Sequence, residues 1–473
     1  MRFLFVHRNV YQDPLGPMLL AAVLVRRGHE AHLIDVALDP DWEDRAVRLA
    51  PDAVGYSAIT GNQHVLLDVN RRLKQRMSFV SIWGGPHPTF FPELIDEDGV
   101  DAVCVGEGEG AVVDLADAID RGDTLAGIPN LHVKTAAGVV KTAVRPLVRD
   151  LDGLPFPDRA VVARYPQYRY GSTRAVITSR GCPYGCSFCF NQSLRRLYAG
   201  HGPYVRRRSV ESIVEECRRL REDPWTRLLM FKDDLFAHDE EHVARFSERY
   251  AVEVGLPFTC NVRPDRMTER MAEDLARAGA RVVHFGIESG NDRVRREVLR
   301  RDIDREDMVR TARWLHDRGV KVYTNNIVGI PGETLDEAFD TLDLNVEIRA
   351  DVAMFTLFQP YPGTPLGDLA VELGWTDPGA APYGDTMYGR SMSRLPFARE
   401  RVNMVHLFPA AARSPLLRRL APTLMRLPLT PAYRALDFTY KSTRFIFSLG
   451  FVSPRDVALQ SAQWSFFGRR KGV

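Results

Sequence analysis

Two stretches of this chain of 473 residues alternate short, strand-like apolar runs with segments that have the residue pattern of a helix. In the first series, over residues 2–120, helical segments such as Gly16–Arg27 and His64–Met77 separate five runs rich in β-branched residues. This alternation is typical of parallel strands joined by crossover helices and predicts a doubly wound, Rossmann-like α/β sheet. The five predicted strands are Arg2–His7, His29–Val36, Ala53–Ile59, Phe79–Gly84 and Ala102–Gly106.

The second series begins at Ala175 and contains six strand-like runs, the first five of them followed by a helical segment. Six such units predict a partial (β/α)6 barrel of the TIM type, open on one side, with active-site groups at the carboxyl ends of the strands. The predicted barrel strands lie near 175–179, 228–232, 257–262, 282–287, 321–328 and 352–358.

The two series divide the chain into four predicted regions. Residues 1–125 form the Rossmann-like domain, and the proline-punctuated residues 126–170 form a hairpin and a linker. Residues 171–370 form the partial barrel, and residues 371–473, rich in Pro, Arg and Leu, form a mainly helical, basic region.

Three cysteines follow the first barrel strand in one Gly- and Pro-containing loop: Cys182, Cys186 and Cys189. Thiolates with this C-x3-C-x2-C spacing can ligate three irons of a [4Fe–4S] cluster and leave the fourth iron open. A structural zinc site and free core thiols are the alternatives. Structural zinc usually takes four protein ligands, and no fourth cysteine lies nearby in the sequence, the others being Cys104, Cys217 and Cys260.

The cysteine spacing, with the aromatic Phe188 directly before the third cysteine, resembles the cluster loop of the radical S-adenosylmethionine (SAM) superfamily. In that family the amino and carboxylate groups of SAM chelate the open iron, and an electron from the cluster cleaves SAM to methionine and a 5′-deoxyadenosyl radical. The resemblance therefore implies Cys182, Cys186 and Cys189 as cluster ligands, with Phe188 beside SAM.

Later strand ends resemble further family segments that bind SAM. Asp233 and Asp234 follow the second barrel strand, where the resemblance implies contact with the SAM amino group; the alternative is a helix cap. Glu288, in Phe285-Gly-Ile-Glu-Ser-Gly290, would accept hydrogen bonds from the ribose hydroxyls. Gly329 and Pro331 would shape the bend beside the adenine.

For two further sets of barrel residues, the sequence allows two functional roles each. Arg263, after the third strand, is placed either to pair with the SAM carboxylate in a bidentate way or to form a salt bridge at the rim. Tyr323 and Tyr361 are candidates for radical relays, but aromatic packing is favoured.

Glycine-rich turns close the predicted strands of the N-terminal domain. Glycines there allow a ligand to approach the backbone closely, and free amides can receive phosphate or amide oxygens. Together these turns resemble the cobalamin-binding domain that precedes many radical SAM domains. The resemblance implies cobalamin contacts from Thr60, Gly84, Gly85, Pro86, Gly106 and Glu107.

One departure from other cobalamin proteins concerns the cobalt ligand. The D-x-H-x-x-G motif is absent, since neither Asp35 nor Asp39 is followed by histidine two positions on. Members of the radical SAM subgroup commonly bind cobalamin without that ligand. We therefore predict that His87 is a surface or packing residue rather than a ligand to cobalt.

The C-terminal segment is basic, with twelve Lys and Arg against two Asp and Glu between Arg401 and Val473. Basic amphipathic helices can cover a barrel, form a lid over a substrate, or lie on anionic lipid; the cover role is favoured here. The net charge of +2 argues against general nucleic-acid binding. The chain shows no signal peptide, no apolar stretch of about 20 residues and no disulfide framework. We expect a cytoplasmic protein, with peripheral membrane contact left open.

A radical SAM enzyme with a cobalamin domain has the parts to methylate an unactivated carbon, and the resemblance implies this reaction. The expected cofactors are a [4Fe–4S] cluster, SAM and cobalamin. The expected partners are a small-molecule or lipid-like substrate and an electron donor such as flavodoxin or ferredoxin. The alternatives are a cobalamin-type cyclase, oxidase or rearrangement enzyme and, from another class, a non-catalytic redox or cobalamin sensor.

Overall fold

The computed structural model describes residues 1–8, 13–377 and 394–444. Its internal contacts divide the chain into two compact units. The first unit contains Met1–Gly171 together with Arg196–Tyr204, and the second contains Ser172–Arg195 and the described residues from Val205 onward.

The first unit is built on a seven-stranded sheet in the order β2-β1-β3-β4-β5-β6-β7. The first five strands are parallel, and the last two form an antiparallel hairpin that extends the same sheet. This arrangement confirms the predicted doubly wound fold. The strands are β1 (Arg2–His7), β2 (Glu30–Asp35), β3 (Ala53–Ser57), β4 (Val80–Gly84), β5 (Ala102–Cys104), β6 (Leu131–Thr135) and β7 (Gly138–Lys141).

Helices cover both faces of this sheet, so alternate residues of one strand enter two separate cores. In β1, Phe3 and Phe5 lie in one apolar cluster while Leu4 and Val6 lie in the other. The helices are α1 (Leu15–Arg26), α2 (Trp42–Leu49), α3 (Gln63–Lys74), α4 (Pro86–Phe90), α5 (Glu109–Arg121) and α6 (Pro166–Tyr170).

The second unit contains a six-stranded parallel sheet in the order β15-β14-β13-β12-β11-β8, which confirms the predicted partial barrel. A two-stranded antiparallel ribbon of β9 and β10, absent from the prediction, brackets the cysteine loop. The strands are β8 (Thr173–Val176), β9 (Ser179–Arg180), β10 (Arg206–Arg207), β11 (Leu228–Phe231), β12 (Phe258–Asn261), β13 (Ala280–Glu288), β14 (Lys321–Val328) and β15 (Val352–Leu357).

Strand alternation separates an outer from an inner face of this barrel. Val283 and Phe285 of β13 belong to the large core beneath the helices. Val282, one residue away, packs instead with Tyr323 and Met354 on the inner face. Because all six strands are parallel, their carboxyl ends meet at one rim.

Ten helices are described from Asn191 onward, and the last three form the C-terminal region. Phe408 of α14 packs edge-on against Phe355 of β15, with ring centroids 5.3 Å apart, so these helices cover the barrel. Residues 445–473 of the predicted basic region lie outside the described residues. The helices are α7 (Asn191–Leu197), α8 (Val210–Glu222), α9 (Glu240–Glu253), α10 (Glu269–Ala278), α11 (Arg305–Asp317), α12 (Leu335–Glu347), α13 (Pro365–Glu372), α14 (Ala398–Ala411), α15 (Pro415–Leu424) and α16 (Thr430–Thr443).

None of the helices in the described ranges combines the length and apolar character needed to cross a bilayer.

Candidate active site

Ser187 anchors the cysteine loop at the centre of the C-x3-C-x2-C spacing. Its backbone amide donates to the carbonyl of Leu299 at 2.9 Å, and its hydroxyl donates to the carbonyl of Val298 at 2.6 Å. Its own carbonyl accepts from the amide of Leu366, the second residue of α13, at 3.0 Å. The loop is therefore fixed to two separate parts of the barrel unit.

Helix α7, which directly follows the loop, folds back onto it. Gln192 donates to the carbonyl of Gly185 at 3.1 Å, and Arg195 donates to the carbonyl of Pro183 at 2.8 Å. These side chains satisfy backbone oxygens that a loop of this kind would otherwise expose to solvent. The sulfur positions are thus set by backbone held from both sides.

Nitrogen donors from three separate segments of the chain reach the sulfur atoms. Arg263 and Arg301 place Nη1 atoms 3.9 Å and 3.7 Å from the sulfur of Cys186, and Asn191 places Nδ2 3.6 Å from that of Cys189. Hydrogen bonds to the sulfurs of an iron–sulfur cluster tune its reduction potential.

Burial is the main influence on the pKa of two thiols in the loop. Burial raises the pKa of Cys182, and the charges of Asp234 and Cys186 raise it further. Burial likewise raises the pKa of Cys189 to about 11, again with contributions from Asp234 and Cys186. Iron binding at these sulfurs must therefore displace protons, as is usual for thiolate ligands.

The loop fits a [4Fe–4S] cluster in the types, number and surroundings of its ligands. In the part of the chain that the structure describes, no three His, Cys, Asp or Glu side chains already stand at metal-binding distance from one centre. The fit rests instead on three thiols in one anchored loop, with donors directed at two of the sulfurs.

The neighbouring aspartates Asp233 and Asp234 differ in their surroundings. Asp233 is buried, and its Oδ1 accepts from the amide and hydroxyl of Thr178 at 2.9 Å and 3.0 Å and from the hydroxyl of Ser179 at 2.6 Å. This carboxylate fixes the chain that enters the cysteine loop. Asp234 lies beside the cysteines and accepts a hydrogen bond from Asn191.

Glu288 ends β13 in a left-handed conformation, with φ of 62°, which is unusual for a residue other than glycine. Its carboxylate occupies the space that a side chain at Gly286 would need. Burial raises the pKa of Glu288 to about 7, and the charge of Arg301 opposes the shift. Arg301 also donates to the carbonyl of Gly286 at 2.8 Å, which joins this strand end to Cys186.

The loop after β14 carries the other residues predicted to bind SAM. Gly329 is buried with φ of +85°, and its amide donates to Glu333 Oε2 at 2.8 Å. Pro331 is buried in the same loop. Phe188 of the cysteine loop packs against an apolar cluster that includes Ile330 and Leu366.

Arg263 adopts the rim salt bridge that was one of its two predicted roles. Its Nε lies 2.8 Å from Oδ1 of Asp265, its Nη2 donates to the carbonyl of Asp302 at 3.2 Å, and its guanidinium stacks 3.7 Å from the ring centre of Tyr184. Pairing with the SAM carboxylate stays a prediction. Of the two candidate relays, Tyr323 stacks on His284 with ring centroids 4.4 Å apart, as aromatic packing predicts.

In the first unit, the turn after β4 is held against the end of β3. The carbonyl of Ala58 lies 2.9 Å from where a side chain at Gly85 would begin, and Gly85 has φ of +100°. The amide of His87 donates to the same carbonyl at 3.0 Å, and its Nδ1 lies 3.1 Å from the hydroxyl of Thr60. His87 is buried and stacks on Phe91, with ring centroids 4.8 Å apart.

The polar groups of the turn after β5 form hydrogen bonds within the first unit. The hydroxyl of Tyr198 accepts from the amide of Glu107 at 2.6 Å and fills the space beside Gly106. Glu107 Oε2 accepts from the amide of Val148 at 3.1 Å, and the amide of Gly106 donates to Thr89 Oγ1 at 3.1 Å. The amides of Gly106 and Glu107 are therefore engaged within the unit, although the sequence predicted free amides at these glycine-rich turns.

Two domain families match this chain. The radical SAM superfamily model covers residues 176–344, which include the cysteine loop and the strand ends through β14. The B12 binding domain model covers residues 1–116, which include the glycine-rich turns. The cluster loop and the glycine-rich turns therefore lie in the domain that each prediction requires.

Relatives and a solved structure agree with these matches. An uncharacterized methyltransferase of Pyrococcus horikoshii is 31% identical over 76% of this chain and 78% of its own. An anaerobic magnesium-protoporphyrin IX monomethyl ester cyclase of Rubrivivax gelatinosus is 26% identical over 79% and 70%. The radical SAM methyltransferase TsrM of Kitasatospora setae, solved with cobalamin and a [4Fe–4S] cluster, shares the fold with a TM-score of 0.70 at 18% identity, over 94% of this chain and 99% of its own.

The cysteine loop at the barrel rim and the doubly wound first unit together define a cobalamin-type radical SAM enzyme. The chain belongs to the radical SAM superfamily, in the group whose members carry a B12-binding domain. Its cofactors are a [4Fe–4S] cluster, SAM and cobalamin. The predicted family, enzyme class and cofactors are confirmed, and the alternative of a non-catalytic sensor is set aside.

Proposed function

We propose that this enzyme transfers a methyl group to an unactivated carbon of a small molecule. The observation that carries the proposal is the presence of a B12-binding domain and a radical SAM domain in one chain, with methyltransferase relatives. When bound, the cluster supplies the electron that splits SAM, and cobalamin carries the methyl group to be transferred.

The barrel residues would hold and orient SAM. The three cysteines bind the cluster, Glu288 accepts hydrogen bonds from the ribose, and the Gly329–Pro331 bend lies along the adenine. Asp234, beside the cysteines and bonded to Asn191, receives the amino group. For Asp233 only Oδ2 is without a hydrogen-bond partner among the described residues, so we assign it mainly to anchoring the loop.

Apolar packing around the SAM site would exclude water from the radical. Phe188 packs in the cluster formed by Val294, Leu299, Ile330, Phe358, Leu366 and Ala370. A 5′-deoxyadenosyl radical removes hydrogen from whatever C–H bond lies nearest, so a closed and ordered surrounding favours the substrate over side reactions.

The N-terminal strand ends would hold the corrin. Thr60, Gly84, Gly85 and Pro86 offer a hydroxyl and a backbone edge along the ends of β3 and β4. Glu107 would support that edge through its hydrogen bonds to Tyr198 and Val148, and Gly106 through its hydrogen bond to Thr89.

Polar side chains on the inner face of the barrel favour a small polar substrate. Asn261 and Thr356 are partly exposed there and Asn325 is exposed, and each lies in the inner-facing register of its strand. Active sites of such barrels lie at this rim. We therefore place the substrate above these residues.

The test is product analysis after anaerobic reduction of the cluster-loaded enzyme with SAM, cobalamin and candidate substrates. Methyl transfer of this kind produces 5′-deoxyadenosine and S-adenosylhomocysteine in equal amounts, because one SAM gives the radical and another gives the methyl group. 5′-Deoxyadenosine without S-adenosylhomocysteine would instead favour cyclisation, the reaction named for the Rubrivivax relative. If the enzyme forms neither 5′-deoxyadenosine nor S-adenosylhomocysteine, the proposal is contradicted.

We further propose a cytoplasmic enzyme that receives electrons from flavodoxin or ferredoxin. All six cysteines are free of disulfides, which suits a reducing compartment. Reduction of the cluster by either protein, followed by an electron paramagnetic resonance signal, tests the donor; no reduction by either would contradict it.

Peripheral membrane contact is supported by the outer surface of α15 and α16. Leu416 and Phe438 are 67% and 66% exposed, and Arg419 and Arg426 are exposed nearby in the sequence. Basic amphipathic helices bind anionic lipid. Sedimentation with anionic vesicles should recover the protein, and the Leu416→Ser variant should bind less. The control Leu373→Ser alters another exposed leucine, at the C-terminal end of α13, and wild-type protein that does not sediment would refute membrane contact.

A further inference from the structure

Arg401 is a buried arginine near the start of α14, with 1% of its surface exposed. It comes from the C-terminal helical region, outside the residues that the radical SAM family model covers. A cation near a helix N-terminus lies at the unfavourable end of the helix dipole. Helix α14 therefore gains nothing from this charge, and the reason for it must lie in what the guanidinium contacts.

The guanidinium of Arg401 lies against the loop that follows β14. Its Nη2 donates to the carbonyl of Glu333 at 2.6 Å. Its Nη1 is 3.1 Å from the point where a side chain at Gly329 would begin, and two carbons of Leu395 lie 3.3 Å from the same point. The C-terminal region thus closes over both ends of the Gly329–Glu333 loop.

Two charged groups are buried here with incomplete hydrogen bonding. Nε and Nη1 of Arg401 and Oε1 of Glu333 have no hydrogen-bond partner within the described residues. Burial raises the pKa of Glu333 to about 7, and Arg401 opposes the shift. A buried charge of this kind costs stability unless it is paired, and proteins retain it where it fixes a conformation.

The loop that these charges fix is the one assigned to SAM. Glu333 Oε2 accepts from the amide of Gly329 at 2.8 Å, while Arg401 holds the carbonyl of the same glutamate. Gly329 and Gly332 both have positive φ, which glycine adopts readily and other residues do not, so the bend depends on glycine at both positions. The carboxylate and the guanidinium together determine where the backbone of Gly329 and Pro331 lies.

We propose that Arg401 is a positioning residue for SAM, which makes the C-terminal helical region a part of the SAM site. The inference rests on the proposed function, in that Gly329 and Pro331 contact SAM. Arg401 acts through the loop and not by touching the reacting atoms. Loss of Arg401 weakens SAM binding and leaves the chemistry of bound SAM intact.

The test compares Arg401→Met with Arg401→Lys and with the control Arg413→Met. Arg413 also donates to backbone carbonyls, those of Arg349 and Ala350, at the far end of α14. With cluster-loaded enzyme, we expect Arg401→Met to raise KM for SAM by about tenfold and to leave kcat for 5′-deoxyadenosine within about twofold. Arg401→Lys should lie between wild type and Arg401→Met, and Arg413→Met should keep the wild-type KM.

A purely structural role for Arg401 would give a different result. Arg401→Met would then lower the melting temperature and the yield of active enzyme without changing KM, and that outcome would overturn the proposal. If Arg401→Met does not fold, the KM for SAM of Arg401→Lys and of Glu333→Gln tests the proposal instead, since both substitutions roughly keep side-chain volume. Wild-type KM in both would also overturn it.

Failure of the proposed function remains distinguishable from failure of this inference. If the wild-type enzyme forms no 5′-deoxyadenosine, the proposed function fails. The dissociation constant of SAM, measured by equilibrium dialysis with the cluster-loaded protein, then still compares Arg401→Met with Arg413→Met. Equal constants for these two variants would refute the role of Arg401.

Discussion

The cysteine loop of the barrel and the glycine-rich turns of the N-terminal unit bind ligands by different means. In the cysteine loop, reactive side chains are presented, and donors from three segments of the chain are directed at the sulfurs. In the turns after β4 and β5, backbone is presented, and the polar groups around Gly106 are engaged in bonds within the unit. The first region is sensitive to the identity of its side chains, and the second to whether a side chain is present at all.

The largest effect is expected from Cys186→Ala in the cysteine loop. Arg263 and Arg301 both direct Nη1 at the sulfur of Cys186. The substitution therefore removes a cluster ligand and leaves two cations beside the missing sulfur. We expect no bound cluster and no 5′-deoxyadenosine, measured as iron content and by product analysis. The matched control is Cys217→Ala, which changes a fully buried core cysteine and should keep both. A full cluster in Cys186→Ala would end the distinction between the two regions.

The next effect is expected from Gly106→Ala in the N-terminal unit. The new methyl group collides with Tyr198, and φ of +83° strains any residue other than glycine. We expect a loss of about 1–3 kcal/mol in stability and reduced retention of cobalamin after desalting, with iron content unchanged.

Gly122→Ala serves as the control for this substitution. Gly122 has φ of +71° but nothing within contact distance of the added methyl group, so it isolates the backbone strain. If both variants retain cobalamin equally, the turn after β5 has no part in the corrin site.

The third effect concerns pH and Glu333. Its pKa is about 7 in the folded protein against 4.5 ordinarily, so the folded state holds the proton more tightly than the unfolded state. Protonated Glu333 therefore raises the free energy of unfolding by roughly 3 kcal/mol. This contribution is complete below pH 4.5 and is lost as the pH rises through 7. Glu333→Gln, which cannot ionise, should lose less stability than wild type between pH 5 and pH 8 in denaturant unfolding. Parallel pH profiles would show that Glu333 does not carry this dependence.

The smallest effect is expected from Arg301→Met. The reduced cluster carries one more negative charge, and a cation beside Cys186 stabilises it. Removing that cation should lower the reduction potential of the cluster, as measured by redox titration with electron paramagnetic resonance. Arg300→Met, at the exposed neighbouring position, should leave the potential unchanged. Equal shifts in both variants would mean that the contact with the sulfur is not the cause.

Both sheets could be predicted from sequence because their strands are short apolar runs of fixed period. The predicted strand Arg2–His7 matches β1, and the predicted 321–328 matches β14. The cysteine loop could be predicted as well, because its ligands lie within eight consecutive residues, 182–189. In both cases the signal is local in the chain.

The supporting residues of the site could not be predicted because their partners are distant in sequence. Arg301 reaches Cys186 across 115 positions, and Tyr198 reaches Glu107 across 91. Asn191 follows the third cysteine by only two positions, but no pattern marks an asparagine as a donor to sulfur. The internal bonds of Gly106 and Glu107 were likewise invisible, since a glycine-rich turn has one sequence pattern whether its amides are open or engaged.

The most direct test of the account is the ultraviolet–visible spectrum of the anaerobically purified protein. The cluster is reconstituted, hydroxocobalamin is offered, and excess cobalamin is removed by desalting. The account predicts iron–sulfur absorbance together with retained corrin bands. Iron–sulfur absorbance without corrin bands would contradict the claim that one chain brings both cofactors to a single reaction.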